Sequence, residues 1–164
     1  MNDMKTYVIT LSKTFPAGHP RKGEPTEFLE KFLNGQTGKG NAKLHTIRAN
    51  YPLWEKRIKE VQNSHGNAVL SVRQWSGRPY ASKQVEIARL SAFDGVGIQR
   101  LEIINLWGSN RCTVLDYNLL ALFDVDPAEL AKNDGLSFYE WLAWFRNYDL
   151  SQPLAIIHFT SFRY

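Results

Sequence analysis

Hydrophobic and polar positions change their period several times along the chain, and each change marks an expected element. Residues 6–11 (T-Y-V-I-T-L) are β-branched and aromatic and predict a strand. Pro16, Gly18, Pro20, Gly23 and Pro25 then punctuate an irregular loop over about 12–25. Phe28, Leu29, Phe32 and Leu33 follow at helical spacing and predict a short helix over 26–34. Asn50 is placed to cap a second helix reaching about residue 62, with Leu53, Trp54, Arg57, Ile58 and Val61 at three- and four-residue steps and Pro52 in the first turn. A period of two takes over next. Residues 68–75 read as a strand, W-S-G-R-P at 75–79 reverses the chain, and 84–90 alternates Val85, Ile87 and Arg89 against Gln84, Glu86 and Ala88. These two strands predict a hairpin with a basic, aromatic tip. A further pair, 98–107 and 112–115, is expected around Gly108-Ser109-Asn110. D-P-A-E from Asp126 and S-F-Y-E from Ser137 are capping signatures for two short helices. The second, over 138–147, carries Phe138, Trp141, Leu142 and Phe145 on one face, and 154–162 closes the chain as a strand. Strands joined mostly by hairpins, with helices in two clusters, predict an α+β domain spanning 1–164 around a curved or barrel-like antiparallel sheet.

The chain has 164 residues, 43% hydrophobic and 22% charged, which suits one folded domain with a real core. Twenty basic residues against 16 acidic ones give a net charge of +4, compatible with an anionic partner without specifying one. The single cysteine, Cys112, excludes an intramolecular disulfide and any multi-cysteine metal site, and predicts a reducing, cytoplasmic compartment with Cys112 as a small buried hydrophobe. The first apolar run, 7–11, is shorter than a secretory core, and no stretch approaches the ~18 apolar residues of a membrane span, so no membrane partner is expected. His19, His45, His65 and His158 show no zinc-binding spacing and are expected singly, at the surface or the edge of the core. No resident metal or cofactor is expected.

Residues 35–42 form a glycine-rich loop. Its G-Q-T-G-K-G core lacks the spacing of a Walker A or dinucleotide loop and reads as a connector. Directly behind it, Lys43-Leu44-His45-Thr46-Ile47-Arg48 packs a lysine, a hydroxyl and an arginine together. K-x-x-T-[IV]-R after a glycine-containing segment resembles the signature of the ASCH domain family, a branch of the PUA-like fold associated with RNA and modified nucleosides. Gly66-Asn67-Ala68-Val69-Leu70-Ser71-Val72 is similar to that family's strand entry, and 85–90 to its hairpin partner. Asp134-Gly135-Leu136-Ser137 with Glu140 and Trp141 is similar to its turn into a late helix, and 155–159 to its closing strand. The resemblance spans roughly residues 35–162, with 91–124 lacking a counterpart and the N-terminal third rich in insertions.

The resemblance implies a barrel-like PUA core with a cleft lined by the lysine-threonine segment. It also implies, as in small bacterial members, a lysine-threonine-glutamate constellation that hydrolyses the acetyl amide of N4-acetylcytidine. Lys43 and Thr46 match its first two members, and Asp134 stands where the family has glutamate, one methylene shorter. In that scheme Thr46 attacks the acyl carbon, Lys43 takes and returns the proton, and Asp134 orients the lysine or protonates the leaving amine. A lysine acts as base only when desolvation or a neighbouring cation, for which Arg48 is the candidate, lowers its proton affinity. Residues i and i+3 share a side on a turn but not on a regular strand, so this role requires Lys43 and Thr46 to lie on a turn.

A second constellation interleaves Arg73, Trp75, Arg78, Tyr80 and Lys83 at the predicted hairpin tip, where bases would stack on Trp75 or Tyr80 and the cations would hold phosphate. Its alternative is a hairpin whose tryptophan packs under the turn. Lys13, His19, Arg21 and Lys22 form a further basic loop expected to be a solvated face that could border the cleft. Two functions stay open: an amidohydrolase acting on a modified nucleoside, and a noncatalytic PUA-like RNA-binding module that uses Lys43, Arg48, Arg78 and Lys83 on phosphate. A metal-dependent ribonuclease, also suggested by the resemblance, has no evident ligand set, and protein partners are not indicated.

Overall fold

The computed structural model describes residues 3–106, 109–116 and 121–164. Along the chain lie β1 (Lys5–Thr10), α1 (Phe28–Gln36), β2 (His45–Arg48), α2 (Tyr51–Asn63), β3 (Ala68–Trp75) and β4 (Gln84–Leu90). A 3₁₀ turn, Ala92–Asp94, leads to β5 (Gly97–Leu106), β6 (Ser109–Asp116), β7 (Ala121–Val125), α3 (Pro127–Asn133), α4 (Phe138–Phe145) and β8 (Leu154–His158). Mixed α+β structure is therefore what the periodicities deliver. Trp107 and Gly108 lie outside the described residues, whereas Ser109 and Asn110, expected in the turn, already belong to β6 and pair with Leu106 and Asn105.

Local chemistry explains the boundaries. Asn50 takes a left-handed conformation (φ 64°), and its side chain accepts from the Leu53 N–H, starting α2. Tyr51, Trp54, Ile58 and Val61 are then buried on one face of that helix. Ser137 and Glu140 close a reciprocal capping box at the start of α4, while Asp126 caps α3 through the Ala128 N–H (2.9 Å). Residues 13–26 form a loop closed by a bridge between Thr14 and Pro25 and by the Thr26 hydroxyl, which donates to the Ser12 carbonyl (2.7 Å). The glycine-rich connector is shorter than expected, because α1 continues through Gly35 to Gln36.

One barrel-like antiparallel sheet is not what forms. Among the described residues there are two sheets: three-stranded β1-β3-β4 and five-stranded β2-β8-β5-β6-β7. The first contains a parallel pair, β1 with β3, because the chain crosses back through α1, β2 and α2 before re-entering in the same direction. In the second every pairing is antiparallel. β3 and β4 make the expected hairpin, with a register shift between Val72 and Arg73. Strand β7, on which no expectation was placed, is an edge strand with Leu122 56% exposed. The core between the layers includes Ile58, Leu70, Val72, Leu101 and Ile156, each fully buried, and Cys112 joins it at 1% exposure.

Candidate functional site

The end of α3 and the start of β2 meet at one point, and that meeting builds the site. Gly135, at φ +82°, takes the left-handed position after α3, and the Leu136 N–H reaches back to the Ala131 carbonyl (2.9 Å). A Cβ on Gly135 would lie 3.2 Å from the Lys43 Cβ, so the tight stop and the close approach of Lys43 require the same glycine. Asp134 forms an antiparallel bridge with Lys43, the Leu44 N–H donates to the Asn133 carbonyl (2.7 Å), and the Lys43 N–H donates to the Lys31 carbonyl (2.9 Å).

Lys43 is 2% exposed and its Nζ donates to Asp134 Oδ1 (2.6 Å) and to the Asp134 backbone carbonyl (2.7 Å). The ammonium also lies 4.1 Å from the centre of the Phe28 ring, a cation–π contact in a desolvated place. Burial pulls the Lys43 amine below its ordinary value, with Asp134 opposing and Arg48 and Lys31 adding to the pull. Burial likewise pushes the Asp134 carboxyl up, against the pull of Lys43 and Arg48. The pair is thus held where the ionic and neutral forms, which share one proton, are closer in energy than they would be in water.

Thr46 sits in β2, 5% exposed, and among the described residues its hydroxyl makes no hydrogen bond. The turn that the base role requires is absent: Thr46 is on extended strand, and Lys43, at the bridge just ahead of it, gives its protons to Asp134 rather than to Thr46. The two residues nevertheless line one pocket with Arg48, Phe28, Trp144 and Phe145. Its free volume is about 10 Å³, room for about one water. Arg48 donates to the Thr10 carbonyl at the end of β1, tying the two sheets together, and burial lowers its proton affinity while Tyr148, Asp134 and Tyr80 oppose.

The hairpin residues divide. Arg73 is held inside the hairpin by Ser71 Oγ (2.9 Å) and Gln84 Oε1 (3.3 Å), so it is not at the tip. Tyr80 is 91% exposed with φ 61°, and its ring lies 5.2 Å from the half-buried Trp75. Arg78 and Lys83 are exposed and make no ion pair among the described residues. In the basic loop Lys13, Arg21 and Lys22 are exposed, as expected of a solvated face, and only His19 departs from it. Arg21 is engaged by Glu24 and Glu140, and His19, 5% exposed, packs on Phe15 (4.5 Å) and Trp144 (6.0 Å) with Nε2 on the Glu140 carbonyl (2.9 Å).

The histidines correct the sequence reading most. Only His65 is exposed; His45 and His158 are fully buried, facing each other across β2 and β8. Burial and neighbouring charge push both toward the neutral form, His158 to about 3. His45 Nε2 lies 2.6 Å from the Tyr164 hydroxyl, which accepts from Asn133 Nδ2 (3.0 Å), and His45 Nδ1 lies 3.9 Å from Asp134 Oδ1. Sequence reasoning missed Asn133 and Tyr164, and it placed His45 at the surface or the edge of the core rather than inside. The available signal was that Lys43 and His45 are two apart at the mouth of a strand and so share a face. Burial pushes the Cys112 thiol up to about 12, far from a nucleophile's range. Among the described residues no three His, Cys, Asp or Glu side chains gather closely enough to hold a metal ion, and no helix is long and apolar enough to cross a membrane.

With this geometry in hand, comparison with protein-family models, curated proteins and solved structures finds no match to the chain. What fold and site define is an α+β protein with a buried lysine–aspartate pair beside an unpartnered threonine hydroxyl.

Proposed function

We propose that this chain is an ASCH-like protein of PUA-like type whose Lys43–Thr46–Asp134 pocket hydrolyses the acyl amide of a modified nucleoside such as N4-acetylcytidine. The observation that carries this reading is the shared pocket. A buried lysine with weakened proton affinity, its carboxylate partner and Thr46, whose hydroxyl makes no hydrogen bond among the described residues, line it together. In the proposed reaction Thr46 Oγ bonds to the acyl carbon as its proton passes to the neutral Lys43 amine. The C–N bond then breaks as Lys43 returns that proton to the leaving nitrogen, and water cleaves the acyl-threonine ester to acid and free Thr46. Asp134 orients Lys43, and Arg48 discourages its protonation.

Small-molecule sites commonly measure about 300–1,000 Å³. A pocket of about 10 Å³ must therefore open, by movement of Trp144 or Phe145 at its border, before a nucleoside enters. Incubating the protein with N4-acetylcytidine and following cytidine and acetate tests the reading. Turnover that disappears in Thr46→Ala supports it, and a folded protein inert towards a panel of acylated nucleosides overturns it.

A noncatalytic RNA-binding reading is favoured by a different observation, the exposed Tyr80 on Trp75 flanked by Arg78 and Lys83, which are exposed and make no ion pair among the described residues. Stacking and phosphate contact need no opening of the pocket. Single-stranded RNA titrations at several salt concentrations separate the two readings, because each phosphate contact adds to the salt slope.

A further inference from the structure

We infer that His45 is a positioning residue for the Lys43–Asp134 pair, locked by Tyr164 and Asn133 in the tautomer whose Nδ1–H faces the Asp134 carboxylate. The inference rests on the reading of that pair as the working pair of the pocket, and it is carried by an account of donors and acceptors in a buried cluster.

Asn133 Nδ2 can only donate, so at 3.0 Å the Tyr164 oxygen is its acceptor. Tyr164 retains one O–H of its own, and His45 Nε2, 2.6 Å away, is the only acceptor this hydroxyl has among the described residues. Were the ring to carry its proton on Nε2, two donors would point at the phenol oxygen and the hydroxyl hydrogen of the half-buried Tyr164 would have no acceptor among the described residues, a costly arrangement beside a fully buried ring. Nε2 therefore accepts. A neutral ring must then carry its hydrogen on Nδ1. Neutrality is enforced by the surroundings: the ring is fully buried, Lys43 is on its own face, and His158 stands 5.6 Å away across the sheet.

Nδ1 has no hydrogen-bond partner, and the carboxylate oxygen it faces, Asp134 Oδ1 at 3.9 Å, is the one that receives Lys43. That separation is too long for a hydrogen bond but short enough for an N–H dipole to favour the ionised carboxylate in a site with little water to screen it. Asn133 and Asp134 are consecutive at the end of α3, so the clamp on Tyr164 and the clamp on Lys43 hold the same turn. Among the described residues the titratable groups around the ring are Lys43, Asp134, His158 and Tyr164, and only Asp134 among them, which Arg48 and Trp141 also favour in its ionised form, gains from a donor at Nδ1.

Nitrogen-15 NMR of the wild-type protein reads the tautomer directly and needs no variant. A protonated Nδ1 and bare Nε2 are expected, and a protonated Nε2 overturns the inference. Two variants then separate position from mere bulk. In His45→Asn the amide can reproduce the Nδ1 donor, whereas His45→Gln reaches the Tyr164 side and leaves the carboxylate without one. With carbon-13 detection of the Asp134 carboxyl, its midpoint is expected to rise by about one pH unit, a tenfold change, in His45→Gln and to stay near wild type in His45→Asn. Equal midpoints in the two variants overturn the proposal. None of these readings uses a substrate, so absence of nucleoside turnover would defeat the amidohydrolase while leaving the tautomer and its effect on Asp134 standing.

Discussion

His45 and His158 are paired directly across β2 and β8, with ring centroids 5.6 Å apart and both side chains out of water. A proton added to either ring is a buried charge beside a second imidazole. The unfolded chain binds protons on these rings from about pH 6.5 downwards, while the folded His158 resists them to about 3. Stability is therefore full above the unfolded value and falls with pH through that window, because the unfolded state holds more protons there. Each such histidine contributes a slope of up to about 1.4 kcal/mol per pH unit. Urea unfolding at pH 7, 5.5 and 4.5 measures this, and His158→Gln is expected to flatten the profile. An unchanged slope in that variant would show that His158 is not the titrating group.

Removing one partner of the Lys43–Asp134 pair strands the other charge in the interior. Lys43→Met and Asp134→Leu are each expected to cost about 3–5 kcal/mol, and the double variant that combines them to recover much of it. Denaturant titrations of the four proteins give the coupling directly. Additive losses would mean that the two groups do not depend on one another.

Thr46 predicts the opposite pattern. Its hydroxyl has no partner among the described residues, so Thr46→Val is expected to leave stability within about 1 kcal/mol while abolishing any turnover. Hydrolysis of N4-acetylcytidine surviving in the valine variant would remove Thr46 as nucleophile.

The hairpin tip is predicted to be energetically quiet in the free protein. Arg78→Ala and Lys83→Ala should change folding stability by no more than about 0.5 kcal/mol. If the tip holds RNA, each should lower the salt dependence of binding by about one unit of slope. Tyr80→Gly relieves a left-handed residue and is expected to stabilise the chain by about 1 kcal/mol while weakening RNA binding. Binding unaffected by all three substitutions would place any RNA surface elsewhere.

Legibility in the sequence followed the range of the forces involved. β3 and β4 fall at their expected limits and α2 within a residue of its own, because alternation, the Asn50 cap and the spacing of Trp54, Ile58 and Val61 are local. β7 was not visible because Leu122 points to solvent while Phe123 packs inward, which blurs the alternation. The division into two sheets depends on β1 choosing β3 as its parallel partner, a decision made across α2 and not within either strand. At the site, the residue types in Lys43-Leu44-His45-Thr46 were readable. The contact between Lys43 and Asp134 spans 91 positions, so no period points to it, and His45 was read as a solitary ring because its neighbours come from α3 and the last residue of the chain.

The double contact at Lys43 bears on the choice of acid. Both oxygens that receive the ammonium belong to Asp134, one from its side chain and one from its backbone. The residue chelates the lysine, closing a small ring through its own Cα and Cβ. The bite of that ring is set by a single methylene. Aspartate is thus matched to an anchor provided by a helix end, and exchange for glutamate, which preserves charge, enlarges the ring by one methylene and adds a rotatable bond that the chelate must then fix.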